Sequence, residues 1–184
     1  MPEYANFVSH LECGISGEAD YKPGGIHGLS RKGRPLLVRY DLDAVKATVN
    51  KEDVWARGGG FWKWREMLPV VHSENVVALG EDDTPLMLCK KLAADLGVTG
   101  DIIIKDEGRL PTGSFKARGL ALAVAMAKEL GLKRLAMPTN GNAGAAMAAY
   151  ATQCGIESYI FAPDDTPDAN IREIQLMGGK IWRV

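Results

Sequence analysis

DIIIKDEGRLPTGSFKARGLALAVAMAKELG, residues 101–131, passes from a short apolar run into charge, then through a Pro-Thr-Gly turn into a helical pattern closed by Gly131. The apolar run has strand length. Pro111 and Gly113 are turn residues, Ser114 is of the capping type, and a glycine after the last helical turn is a common stop. The same alternation continues downstream. RLAMPT (134–139) reads as a strand, GNAGAAMAAYATQCG (141–155) as a helix of small residues, and ESYIFAP (157–163) as a strand. DANIREIQLMGG (168–179) then reads as a helix and KIWRV (180–184) as a buried strand. Strand-helix alternation predicts an α/β fold with parallel sheets covered on both faces by helices. Ligands of such sheets sit outside the carboxyl ends of the strands. That puts the candidate site in the loops after residues 104 and 138. A chain that stops inside a buried strand is expected to be incomplete at its C-terminus.

Upstream, TPLMLCKKLAADLGV (84–98) places Leu88, Leu92 and Leu96 at helical spacing, with Gly97 as the stop. Residues 35–42 read as a strand, and 43–54 as a helix with Asp43 as N-cap. Residues 58–70 read as a turn followed by an aromatic segment. The first 35 residues are glycine-rich and aperiodic. Three stretches result: an irregular N-terminal segment (1–36), a domain portion carrying the Pro-Thr-Gly turn (37–132), and the start of a small βαβ domain (133–184).

Composition narrows the function. A net charge of −1 offers no electrostatic footprint for nucleic acid or an anionic membrane. No apolar run approaches the roughly 20 residues that span a bilayer, and residues 1–11 lack the pattern of a secretory signal. Cys13, Cys89 and Cys154 are odd in number and far apart, which suits a reducing cytoplasm and argues against a disulfide framework. His10, Cys13 and His27 supply no recognisable zinc set. The four tryptophans read as packing anchors. Asp106 and Glu107 read as a solvated strand end, and Arg118 as a partner for a neighbouring carboxylate.

Two segments carry chemistry. Lys116 falls in the first turn of the helix that follows the Pro-Thr-Gly turn. The helix dipole disfavours a cation there and so lowers a lysine pKa. A neutral amine is the species that attacks an aldehyde. In PTNGNAGAA (138–146), Thr139, Asn140, Gly141 and Asn142 open a helix whose free N–H groups form a cradle for a carboxylate. A solvated lysine and an ordinary capped helix remain the alternatives from spacing alone. Neither G-x-G-x-x-G nor a Walker A motif is present.

In this order the two segments resemble the fold-type II pyridoxal phosphate (PLP) enzymes, and most nearly the threonine synthase family. LGEDDTPL (79–86), WKWREMLPV (62–70) and LLVRYDL (36–42) resemble further family stretches, so the likeness runs from about residue 36 to the end. It implies a tryptophan synthase β-like fold with pyridoxal 5'-phosphate as cofactor, held by Lys116 as a Schiff base and flanked by Phe115. It places Asn142 at the cofactor's ring oxygen and Thr139, Asn140, Gly141 and Asn142 at the substrate carboxylate. The implied reaction of the complete enzyme turns O-phosphohomoserine and water into threonine and phosphate. The family's habit is a homodimer acting on a small amino acid. Ala117 departs from the aspartate many members carry and leaves room for a serine/threonine dehydratase or a phosphoserine-using β-replacement enzyme. Ser16 stands where some members place the second cysteine of a Cys-x-x-Cys pair, which reads as a ribbon without metal. The family's glycine-rich phosphate loop and the residue facing the pyridine nitrogen belong further downstream. This 184-residue chain is therefore expected to be inactive alone. A non-catalytic binding remnant is the reading from another class.

Overall fold

The structure is a computed structural model and describes residues 4–184. Val8–Cys13 (β1) and Leu36–Tyr40 (β2) pair antiparallel, with an irregularity between Val8 and His10. Cys13 is fully buried at the end of β1. Its Sγ lies 3.1 Å from the Ser30 hydroxyl and accepts from the Ser16 N–H at 3.5 Å. Among the described residues, no three His, Cys, Asp or Glu side chains are grouped to hold a metal.

The single helix expected over residues 43–54 is two: Leu42–Thr48 (α1) and Lys51–Ala56 (α2). The caps explain the break. Asp41, not Asp43, accepts from the Ala44 N–H, and the Asn50 side chain accepts from the Glu52 and Asp53 N–H groups, starting a second helix. The aromatic segment winds into two short 3₁₀ turns within Phe61–Met67, kinked at Trp64.

A second difference lies at residues 84–98. Leu86–Leu88 (β3) is a strand, and the helix, Lys90–Asp95 (α3), starts only after it. The partner is Ile103–Lys105 (β4), antiparallel, with Leu86 opposite Lys105. β4 is therefore no member of the parallel sheet.

The rest alternates as expected: Lys116–Glu129 (α4), Arg134–Pro138 (β5), Asn142–Gln153 (α5), Glu157–Ala162 (β6), Asp168–Leu176 (α6) and Lys180–Arg183 (β7). The three strands form a parallel sheet in the order β5-β6-β7. α5 is the core of the molecule. Every residue from Gly144 to Ala151 is buried, which follows from a helix that is apolar all round. Its alanines meet Ala117, Ala121, Val124 and Ala125 of α4 on one side and Ile160 and Ile174 on the other. Small side chains allow such close helix packing.

Among the described residues the sheet is covered on one face, not both. Along β6, Ser158, Ile160 and Ala162 are buried beneath α5, while Glu157 and Phe161 are exposed and Tyr159 half-buried. On the open face Trp182 stacks on Tyr159 and Phe161, with centroids 5.9 and 5.7 Å apart. β7, expected to be buried, is largely exposed because, among the described residues, its far edge and this face have no neighbour. Trp55, Trp64 and Trp182 are accordingly surface residues. Only Trp62 packs against the core. No helix among the described residues is long and apolar enough to cross a membrane.

Candidate active site

The chain leaves β4 at Lys105 into a tight series of turns. The Asp106 carboxylate accepts from the Gly108 N–H at 3.1 Å and from Arg109 Nε at 3.1 Å, so it caps a turn rather than standing free in solvent. Pro111–Gly113 follows as a second short turn, in which Thr112 has φ 60°. It is the one non-glycine residue in the left-handed region among the described residues, a conformation side chains other than Gly, Asn and Asp rarely take. Ser114 then extends. Its hydroxyl accepts from the Lys116 N–H at 3.3 Å, satisfying one of the free donors at the start of α4.

Lys116 is half-buried in the first turn of α4. Its Nζ lies 4.4 Å from the centroid of the Phe115 ring, a cation–π distance. Among the described residues it has no carboxylate partner. Phe115 is 59% exposed, so a flat apolar surface lies open beside the amine.

The second segment follows β5. The Thr139 N–H donates to the Phe161 carbonyl, which extends the β5–β6 ladder. Thr139 Oγ1 accepts from the Gly141 N–H at 3.3 Å, and the Asn140 carbonyl accepts from Asn170 Nδ2 at 3.4 Å. The N–H groups of Asn142 and Ala143 carry no hydrogen bond among the described residues. They are the free donors of the α5 N-terminus, where an anion is favoured. Gly144 is required by space, and Gly141 lies close to a side chain that can move. A Cβ at Gly141 would stand 2.8 Å from Asn170 Nδ2, and one at Gly144 2.6 Å from Thr139 Cγ2.

The fold joins the two segments. The Pro111–Gly113 turn packs on α5, and so does α4. The arrangement offers a primary amine without a counter-ion, an open aromatic face, and backbone donors at the end of a parallel strand. These suit the aldehyde and ring of pyridoxal phosphate and the carboxylate of an amino acid.

Glu107, expected as a solvated strand end, is instead held by two neighbours. Arg118 Nε donates to its Oε2 at 2.6 Å and Arg118 Nη2 to its Oε1 at 2.8 Å. Thr84 Oγ1 donates to it at 2.6 Å. The Arg118 hydrogen bonds, helped by Thr84, hold the Glu107 carboxyl at about 2, against the opposing effect of burial. An acid and an arginine flanking a Pro-Thr-Gly turn were the available signal.

Residues 77–184 match the family of pyridoxal-phosphate dependent enzymes, and the chain belongs to that family. Its cofactor is pyridoxal 5'-phosphate. The threonine synthase of Methanocaldococcus jannaschii is 36% identical over 132 residues, which cover 72% of this chain and 32% of that protein. The threonine synthase of Methanosarcina acetivorans is 34% identical over 154 residues, covering 84% of this chain and 37% of that protein. The chain thus spans about a third of the length of these relatives. Among solved structures, maize serine racemase matches with a TM-score of 0.50 and 28% identity, covering 55% of this chain and 30% of that one. Diaminopropionate ammonia lyase from Escherichia coli matches with a TM-score of 0.52 and 26% identity, covering 58% and 31%. They share the fold-type II architecture.

Proposed function

We propose that the complete protein is a threonine synthase, converting O-phosphohomoserine and water into threonine and phosphate. The observation that carries this reading is the packing of the Lys116 turn on α5, whose first turn has free donors, in a chain whose curated relatives are threonine synthases. Lys116 Nζ would hold the cofactor and, once released by the substrate amine, move protons at the substrate's α and β carbons. Phe115 would lie against the cofactor, and Asn142 would meet its ring oxygen. Thr139, Asn140, Gly141 and Asn142 would seat the substrate carboxylate at the start of α5. The bound cofactor supplies the electron sink for charge developing at those carbons.

The fold portions 37–132 and 133–184 would each contribute one of these segments, with residues 1–36 as a metal-free ribbon. The protein is read as a cytoplasmic homodimer with no nucleic-acid or membrane partner. Isolated, the 184-residue chain would not turn over.

The test is the complete protein loaded with PLP and offered O-phosphohomoserine, O-phosphoserine, serine and threonine in turn. Equal release of threonine and phosphate from O-phosphohomoserine alone supports the reading. Ammonia and a keto acid from serine or threonine would replace it with a dehydratase. Consumption of O-phosphoserine would replace it with a β-replacement enzyme.

A further inference from the structure

Glu107 and Arg118 stand on either side of the turn that delivers Lys116. Their contact is a bidentate fork, the strongest geometry an arginine and a carboxylate can adopt. Thr84 donates to the same carboxylate, and Lys105 Nζ lies 3.7 Å from it. The two side chains are only 24% and 26% exposed, so the pair is less screened than one on the open surface. Between them runs Thr112, left-handed at φ 60° and with its hydroxyl buried and unpartnered. Backbone strain of that kind persists only where the surroundings over-determine it. Arg118 lies two residues beyond Lys116, and side chains at that spacing leave a helix on different sides. The fork therefore fixes the first turn of α4 from one side while Lys116 leaves from another.

We propose that Glu107 and Arg118 form a clasp that holds the strained Thr112 turn closed and thereby sets the position of Lys116 Nζ. Both are positioning residues. Neither has to touch the cofactor, and the proposal rests on Lys116 being the cofactor lysine.

The experiment uses the complete protein and the variants Arg118→Met, Arg118→Lys, Glu107→Gln and Thr112→Gly, together with the Thr112→Gly/Arg118→Met double variant. Three quantities are measured: the dissociation constant for PLP, the yield of borohydride-fixed pyridoxyl on the Lys116 peptide, and the thermal midpoint without cofactor. The wild type labels at Lys116. Arg118→Met binds PLP about tenfold more weakly. Arg118→Lys falls between, because an ammonium cannot supply the fork. Thr112→Gly relieves the left-handed strain and recovers most of the affinity in the Arg118→Met background while leaving the wild-type affinity within about twofold. The isosteric Glu107→Gln carries the test should Arg118→Met not fold. Wild-type PLP affinity in folded Arg118→Met and Glu107→Gln, even with lowered thermal midpoints, would reduce the pair to a structural contact and overturn the proposal. No label on Lys116 in the wild type would instead overturn the cofactor reading, and the clasp with it.

Discussion

The Tyr150 hydroxyl, buried within α5, donates to the Glu81 carboxylate at 2.9 Å. Glu81 also accepts from Trp62 Nε1 at 2.9 Å and from the Leu79 N–H at 2.8 Å. One buried acid thus ties two upstream segments to the helix that opens at Asn142. Burial, followed by the Glu81 charge, pushes the Tyr150 hydroxyl pKa up, so it remains a donor throughout the ordinary pH range.

Tyr150→Phe removes one of three donors to a charged acceptor and is expected to cost about 2 kcal/mol. Glu81→Leu leaves the buried Tyr150 hydroxyl and two part-buried N–H donors without this acceptor and is expected to cost about 3 kcal/mol. Thermal midpoints of the complete protein check the order. Equal, small effects would mean that water replaces the carboxylate.

Acid sensitivity follows from Glu107. Its carboxyl is held at about 2 by Arg118 in the folded protein, against about 4.3 in an unfolded chain. A carboxyl lowered on folding stabilises fully above the unfolded value, and that stabilisation is lost as pH falls toward the folded one. The loss therefore runs from about pH 4.5 down to about 2. Urea midpoints measured across this window should fall less steeply in Glu107→Gln than in wild type. Parallel slopes would show that Glu107 is not held below its ordinary value.

Gly144→Ala is expected to damage both the core and the substrate loop. The added Cβ would stand 2.6 Å from Thr139 Cγ2 and 2.9 Å from Ile174 Cδ1. Overpacking of this kind costs about 1–3 kcal/mol. Because one of the displaced groups is Thr139, the substrate KM should rise as the thermal midpoint drops. A lower midpoint with an unchanged KM would place the strain on Ile174 alone and detach Thr139 from substrate binding.

From residue 114 onward the order of strands and helices was legible, because strands carry short apolar runs and each helix has a glycine stop. The antiparallel β3–β4 pair was not. In LMLCKKL, Leu88 and Leu92 fit a helical period, while the strand partner of Leu88 is Ile103, beyond local reading. The open sheet face was missed for a related reason. Tyr159, Phe161 and Trp182 are the residue types of a buried face, and only the three-dimensional placement of α5 and α6 shows which face is covered. At the site, the strand-to-helix steps at Lys116 and Asn142 were visible as sequence transitions. The Glu107–Arg118 fork was half visible, since an arginine's need for a carboxylate is general but its choice depends on how the turn folds back.

Residues 8–40 should hold no metal. Where a ribbon's second ligand would stand, Ser16 offers a backbone N–H to Cys13, and Ser30 faces the same sulfur. Elemental analysis of the purified complete protein should find zinc far below one ion per chain. Stoichiometric zinc would overturn the metal-free ribbon.

The most direct test of the account is covalent. The complete protein is loaded with PLP, reduced with borohydride, digested and mapped by mass spectrometry, with Lys116→Ala as control. The account predicts a single pyridoxyl group on the peptide containing Lys116 and none in the control. A folded, PLP-treated protein with Lys116 unmodified would contradict it and leave the Pro-Thr-Gly turn as a structural feature of a binding module.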